Sequence, residues 1–373
     1  MQSSNRWKQF GLGGALVVAS LLGAWNVGPG RDRSPQPAPM DQILTEADGA
    51  ASAVSWDLTV TRNERVDFWI DFLKGRNYER THLWLERSGR YGPMIQAELR
   101  ARGMPEDLLY LALIESGFSP YAESHAAAVG IWQFIAETGR RHGLRIDHEV
   151  DERRDPVQAT AAALDYLEVL YERFDSWYLA AASYNTGENR VDRILRERAG
   201  GARGQDELFW EIAPHLPRET RDYVPLMLAA GHIAKEPARY GFHGLEYQEP
   251  LGFDEVWVPG NVPVSAVAEA AGVAAEVVEE LNPHLLRDRT PRAGGGAVRI
   301  PAGTRSTFAA AFPAVYQAAR LAVAAEPAYH KVNRGENLTV IARRYGLSLS
   351  ELRSLNDMGR SSRILAGQRL RVE

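Results

Sequence analysis

From residue 56 to residue 245, apolar side chains recur every three or four positions with charges between them, and no stretch alternates long enough to suggest a strand. That pattern restricts the segment to helices packed on helices. "NERVDFWIDFLKGRNYERTHLWLERSGRYGPMIQAELRARG" sets Val66, Phe68, Trp69, Phe72 and Leu73 on one side, with charges opposite. "MPEDLLYLALIES" opens with Pro105, Glu106 and Asp107, residue types that suit a first helical turn. "DPVQATAAALDYLEVLYERF" offers Asp155 as cap and Pro156 at the first helical position. "SWYLAAASYNTGENRVDRILRER" and "RETRDYVPLMLAAGHIAK" read as two more helical stretches. A mainly α domain is predicted over residues 55–248.

The last third has a different logic. "VWVPGNVPVSAVAEAAGVAAEVVEELNP" lies on "HKVNRGENLTVIARRYGLSLSELRSLND" at a constant offset of 74. Val258 matches Val332, Val264 matches Leu338, Gly272 matches Gly346, Leu281 matches Leu355 and Asn282 matches Asn356. Each copy ends in a short apolar alternation, "AVRIP" or "RLRVE", so each reads as strand, helix, helix, strand. Two small α+β units are predicted, at 254–303 and 328–373, joined by an Ala-rich helical spacer at 304–327. The first copy is degenerate, with Asn261 where the second has Gly335, and either holds the fold or binds a ligand.

The N-terminus carries Arg6 and Lys8 and no acid, then runs uncharged from Phe10 to Gly30. Residues 1–30 read as a secretory signal, removed or kept as an anchor, with membrane association through residues 10–27 in the second case. Residues 31–54 are a Pro/Ala-rich tether. The chain has no cysteine, which excludes disulfides, a thiolate metal site, a cysteine nucleophile and a lipoprotein anchor. A net charge of −5 argues against a nucleic-acid partner. No His/Asp/Glu spacing suggests a metal, so neither metal nor cofactor is expected, and the chain is read as an exported monomer of the cell envelope or periplasm.

Within the helical domain one residue is out of place. Glu115 ends an apolar helix and shares its face with Leu108, Leu111 and Ala112. A desolvated carboxyl holds its proton and can act as a general acid near neutral pH. A solvated helix end or a buried ion pair would explain the same position. "ESGFSPYAESHAAAVGIWQF" adds Ser116, Ser124 and Gln133, hydrogen-bonding groups suited to sugar hydroxyl and acetamido groups. Trp132, Trp177, Tyr178, Tyr184 and Tyr223 are aromatics of the kind that stack on sugars, though such residues are also ordinary core. Asp147, Glu149, Asp151 and Glu152 form a polar stretch read as a solvated surface loop.

"ESGFSPYAESHAAAVGIWQF", "AAASYNTGENRV" and "PRETRDYVPLMLAA", in that order, resemble the family-one lytic transglycosylases of glycoside hydrolase family 23. The resemblance, D-type in its motifs and its C-terminal LysM units, extends from about residue 60 to the end. It implies a lysozyme-like, goose-type catalytic fold followed by βααβ LysM units. It implies Glu115 as sole catalytic acid and base, within a Glu-Ser pair completed by Ser116. Ser124 matches a serine near the catalytic centre, and Gln133 matches the glutamine of a Gly-Leu-Met-Gln motif that here reads "GIWQ". Tyr184 and Asn185 match an Ala-Tyr-Asn motif with Ser183 in place of Ala, and Tyr223 matches a tyrosine that orients the catalytic carboxyl. In the second LysM unit, Gly335, Glu336, Asn337 and Leu338 on one side and Ile364, Leu365 and Gly367 on the other would form a glycan groove.

The implied reaction cleaves the β-1,4 bond between N-acetylmuramic acid and N-acetylglucosamine of peptidoglycan strands, without water, leaving 1,6-anhydromuramic acid ends. Counting carboxylates agrees with it: glycosidases that hydrolyse use two, about 5–9.5 Å apart, and only Glu115 lies in an apolar helical setting. A hydrolytic muramidase and a non-catalytic glycan-binding envelope protein are the alternatives.

Overall fold

The computed structural model describes residues 54–325 and 329–372. The expected signal segment and nearly all of the tether lie outside the described residues. No helix among the described residues is long and apolar enough to cross a membrane.

The helical periodicity becomes α1 (Glu64–Lys74), α2 (Tyr78–Ala101), α3 (Leu109–Ser116), α4 (Ala136–Arg141), α5 (Pro156–Phe174), α6 (Trp177–Thr186), α7 (Glu188–Arg198), α8 (Glu207–Ile212) and α9 (Arg218–Lys235). Local chemistry sets the ends. Asn63 caps α1 by accepting from the Arg65 and Val66 amides, and Asp155 caps α5 through the Val157 and Gln158 amides. Two stretches that read as single patterns are each broken at a glycine, Gly75 between α1 and α2 and Gly187 between α6 and α7. Helix α9 is the central strut. It is buried from Thr220 to Ile233 except at Arg221 and packs on α1, α3 and α6. Helix α3 is wholly buried apart from Ser116.

The first C-terminal unit is β1 (Phe253–Val258), α10 (Val264–Ala271), α11 (Ala275–Leu281) and β2 (Gly296–Pro301). The second is β3 (Tyr329–Lys331), α13 (Leu338–Arg344), α14 (Leu349–Leu355) and β4 (Arg369–Arg371). Each closes with one antiparallel strand pair. The repeated asparagines do the same work in both. Asn282 donates to the Val278 and Arg299 carbonyls and accepts from the Arg299 amide, at 2.7, 2.7 and 2.9 Å. Asn356 does so with Leu352 and Arg371, at 2.8, 2.8 and 2.6 Å. Each amide ties a helix end to the closing strand; at the buried Asn282 it satisfies backbone groups that would otherwise be orphaned.

The Ala-rich segment forms α12 (Arg305–Ala325), but its first half is more than a spacer. Phe308, Phe312 and Tyr316 stack along it, and the first unit's core of Val258, Val267, Val298 and Ile300 packs against them.

The first unit is docked on the helical domain. Residues 246–251 run back along α2, where the Gln248 amide donates to the Glu86 carbonyl and the Leu251 amide to that of Arg90, both at 2.9 Å. Gly89 permits this approach, because a Cβ there would stand 2.4 Å from the Gln248 oxygen. The 149–151 segment then pairs with the unit in strand fashion. The Asp151 amide donates to the His284 carbonyl at 3.0 Å and the Leu286 amide to the Glu149 carbonyl at 2.9 Å. The acidic stretch expected at the solvated surface is therefore largely an interface. Asp147 stays exposed, but Asp151 is buried and paired with Arg153 at 2.7 Å, and Glu149 faces Arg292 of the unit. The backbone pairing sets Glu149 against the unit, while the Asp151 charge is matched by Arg153 of its own domain.

Candidate active site

Glu115 ends α3 at a left-handed turn: Gly117 (φ 59°) caps the helix through a 2.8 Å bond from its amide to the Leu113 carbonyl. No other residue fits there, since a Cβ on Gly117 would fall 1.8 Å from the Trp84 ring. The Ser116 hydroxyl donates to the Ile131 carbonyl at 2.8 Å and accepts from the Ser119 amide at 3.2 Å. Ser116 thus fastens the helix end to the following loop, and its hydroxyl is committed to backbone.

That loop, residues 122–134, is a compact knot. Gly130 donates to Ala122, Ser124 to Ala128 and Val129 to Phe134, all backbone to backbone at 2.9 to 3.0 Å. The Ser124 hydroxyl accepts from the Ala128 amide. Gln133 is buried in a left-handed conformation (φ 49°), and its amide nitrogen donates to Gly130 and Ala122. From behind, Arg153 donates to the Ala127 and Phe134 carbonyls at 3.0 and 3.1 Å. A Cβ on Gly130 would meet the Arg153 oxygen at 1.7 Å, so this glycine is the contact between the knot and its support.

Glu115 is 1 % exposed. Burial pushes its carboxyl up to about 8. The Tyr223 hydroxyl opposes the shift by donating to Oε1 at 2.6 Å, and Glu219 adds to it by like-charge repulsion. Burial raises the Tyr184 phenol, with the nearby Glu115 charge adding to it, and its hydroxyl donates to the Trp132 carbonyl at 2.9 Å. Asn185 accepts from the Thr220 hydroxyl at 2.7 Å. Four buried polar atoms here have no hydrogen-bond partner among the described residues: Glu115 Oε2, Gln133 Oε1, Ser183 Oγ and Asn185 Nδ2. Buried donors and acceptors of this kind are costly unless a ligand or an ordered water meets them.

The fold therefore brings Glu115, Gln133, Tyr184, Asn185 and Tyr223 together from α3, the knot, α6 and α9, with Ser124 in the same knot. It does not supply the expected aromatic platform. Trp132, Tyr178, Tyr184 and Tyr223 are fully buried, and Trp177 stacks on Tyr171 at 4.1 Å. Their ring faces are spent on the core. Glu219 and Thr220 are the residues that sequence reasoning passed over. The signal was present, since Glu219 precedes Tyr223 by one helical turn and so shares its face.

The second unit's expected groove residues lie apart from this site. Gly335 (φ 88°) and Gly367 (φ 90°) make the turns, Asn337 caps α13, and Leu338 is buried in the unit's core. Glu336 is held down to about 2 by the Asn333 amide, with His330 and Arg344 contributing. Ile364 packs against the core, and Leu365 is exposed.

Comparison with known proteins gives three family matches. Residues 92–206 match the transglycosylase SLT domain, residues 252–317 the lytic transglycosylase MltD LysM-like domain, and residues 330–373 the LysM domain. Membrane-bound lytic murein transglycosylase D of Escherichia coli K12 is 33% identical over 308 residues, covering 81% of this chain and 67% of that protein. Membrane-bound lytic murein transglycosylase F of Maricaulis maris is 31% identical over 153 residues, 38% of this chain and 31% of that protein. Peptidoglycan transglycosylase gp16 of Escherichia phage T7 is 38% identical over 104 residues, 27% of this chain and 8% of that protein. With a lysozyme-like helical domain carrying a buried Glu115 and two βααβ units behind it, the chain belongs to the lytic murein transglycosylase family.

Proposed function

We propose that the protein is a peptidoglycan lytic transglycosylase of the cell envelope in which Glu115 alone carries the proton transfers. The observation behind this reading is the carboxyl's setting: fully buried, held protonated at neutral pH by desolvation, and contacted by the Tyr223 hydroxyl. A protonated Glu115 donates to the glycosidic oxygen as the bond to the N-acetylmuramic acid anomeric carbon breaks. The carboxylate left behind takes the proton of that sugar's own C6 hydroxyl. The C6 oxygen closes on the anomeric carbon, giving the 1,6-anhydro ring and returning Glu115 to its acid form. Gln133, Ser124, Tyr184 and Asn185 hold hydroxyl and acetamido groups, and the open buried atoms of Gln133 and Asn185 support that role. The second LysM unit holds glycan through the loops at 335–338 and 364–367. Residues 10–27 would tether the enzyme to the membrane, and the protein acts as a monomer.

A hydrolytic reading draws on Glu219, a second carboxylate coupled to Glu115. Its effect is to favour the protonated form of Glu115, which serves the acid step of either reaction. Mass spectrometry of digested sacculi separates the two, because the anhydro product is lighter by one water. Reducing muramic acid ends alone would overturn the lytic reading.

Tyr223 makes the base half of the cycle feasible by stabilising the carboxylate. Tyr223→Phe is expected to lower kcat about 10- to 100-fold, the equivalent of a hydrogen bond to a charged group at ~1.5–3 kcal/mol. It also removes the influence that lowers the carboxyl, so the alkaline limb of the pH–rate profile should move upward. A slower enzyme with an unmoved limb would reduce Tyr223 to a packing residue.

A further inference from the structure

The first LysM-like unit has lost the groove through which such a module would hold a sugar. In the second unit, the bonds between the corresponding segments lie at the base, Val332 to Gln368 and Gly367 to Val332, both 2.8 Å. The first unit keeps a left-handed residue at the equivalent turn, Asn261 (φ 62°), but its two loops are sewn together. The Thr290 amide donates to the Val262 carbonyl at 2.9 Å, the Asn261 amide to the Thr290 carbonyl at 3.3 Å, and the Val264 amide to the Asp288 carbonyl at 2.8 Å. The Thr290 hydroxyl donates to the Pro259 carbonyl and accepts from the Val262 amide. Arg289 donates to Asn261. The backbone groups a glycan would meet are used internally.

A different face is open. Along β1, Val256 and Val258 point into the core, which turns Glu255 and Trp257 outward. Trp257 is 65 % exposed on a strand whose backbone is fixed by six register pairs with β2. Its cross-strand neighbour is Ala297, which leaves the indole face unshielded, and Glu255 stands opposite Arg299 on the same side. Glu255, Ala297 and Arg299 line a cavity of about 150 Å3 between this sheet face and the helical domain, which contributes Arg145, Glu152 and Gln158. Arg299 is itself 4 % exposed, locked between Asp155 and Glu255. An exposed indole on a fixed strand, next to Ala297 of a cavity walled by carboxylates, guanidinium groups and an amide, is a chemistry suited to a saccharide. The ring offers an apolar face, and the wall offers donors and acceptors for hydroxyl and acetamido groups.

We propose that the outer sheet face of the first unit, from Trp257 to the cavity walled by Glu255, Arg145 and Gln158, binds an N-acetylhexosamine glycan. The sealed loop groove of that unit takes no part. This rests on the reading of the protein as an enzyme of such strands and adds a contact outside the Glu115 site. The strand would then be gripped by a surface rigidly joined to the catalytic domain, in addition to the second LysM unit.

The test uses the full chain carrying Glu115→Gln, so that bound glycan survives, with an N-acetylglucosamine hexamer and purified sacculi as probes. Tryptophan oxidation read residue by residue by mass spectrometry should show Trp257 protected by the hexamer and not by a glucose hexamer. Adding Trp257→Ala should weaken sacculus binding about 2- to 10-fold, the loss of one aromatic contact of ~0.5–1.5 kcal/mol, with the melting temperature unchanged because the side chain is exposed. Unprotected Trp257, or unchanged affinity in the variant, overturns the proposal. Product analysis of the wild-type protein is scored separately. An active lytic enzyme with an unprotected Trp257 loses this surface alone, and a protected Trp257 on a protein yielding no anhydro product loses the catalytic reading alone.

Discussion

Glu115→Gln is expected to lower cleavage of glycan strands by about ten-thousand-fold, the upper range for a lost general acid–base group, because in the proposed cycle one residue serves both proton transfers. The amide keeps the size of the carboxyl and the contact with Tyr223, so the variant should fold. A single acid–base group also predicts the shape of the pH profile in the wild-type protein. With Glu115 raised to about 8, kcat/KM should fall with one ionisation above that pH. Stability should respond as well. The folded protein keeps the Glu115 proton up to about pH 8, whereas the unfolded chain releases it near 4.5. Folding therefore gains nothing from this group below about 4.5 and is progressively opposed as pH rises through the window to about 8. The amide of the Glu115→Gln variant carries no such proton. Melting curves of the two proteins should coincide near pH 4 and diverge on the order of a few kcal/mol by pH 9, with the variant the more stable. Parallel curves across that range would show that Glu115 ionises as an ordinary carboxylate and would remove the physical basis of the acid step.

Much of this is legible in the sequence. The spacing of Leu108, Leu111, Ala112 and Glu115 puts the carboxyl on an apolar face, and burial then raises it. The constant offset between Asn282 and Asn356 carries over to matching hydrogen bonds. What periodicity cannot report is which surface meets which across long separations. Glu219 bears on Glu115 because α9 packs on α3; its place one turn before Tyr223 puts it on the right face, but only the packing brings that face to Glu115. The aromatics that suggested a sugar platform face inward, since a helical domain of this size fills its core with its largest rings. Glu149 and the Ala-rich helix looked like surface and spacer because their partners lie in another unit. In each case the residue type was informative and its neighbour was not visible.

The largest effect expected away from the active site is at Asp155. Its carboxylate caps α5 through the Val157 and Gln158 amides at 2.9 and 3.0 Å, and its other oxygen meets Arg299 at 2.9 Å and His284 at 3.2 Å. Burial lowers the His284 pKa, so at neutral pH the buried ion pair is Asp155–Arg299. Asp155→Ala removes a helix cap, about 1 kcal/mol, and takes from the buried Arg299 guanidinium its nearer carboxylate, up to about 3–5 kcal/mol less what the half-exposed Glu255 retains. Asp155→Asn separates the two, because asparagine caps as well as aspartate but leaves Arg299 with only its 3.4 Å contact to the half-exposed Glu255. Both variants should unfold at markedly lower urea concentration, with Asp155→Asn recovering only the smaller part. The pair Asp155→Asn with Arg299→Met should regain most of the loss, since a buried ion pair replaced by apolar volume is often neutral. The consequence reaches the catalytic knot. Asp151 to Arg154 lead directly into Asp155, and Arg153 holds the Ala127 and Phe134 carbonyls on either side of Gln133. Weakening the dock should therefore lower kcat in the single variants and restore it in the double. Acid should weaken the same interface in the wild-type protein. His284 binds its proton more weakly when buried, so the unfolded chain takes up protons first as pH falls below 6.5, and stability drops with it. A double variant that stays as unstable as Asp155→Asn alone would mean that Arg299 is held by contacts other than Asp155, and that the dock depends on the backbone pairing at 149–151 alone.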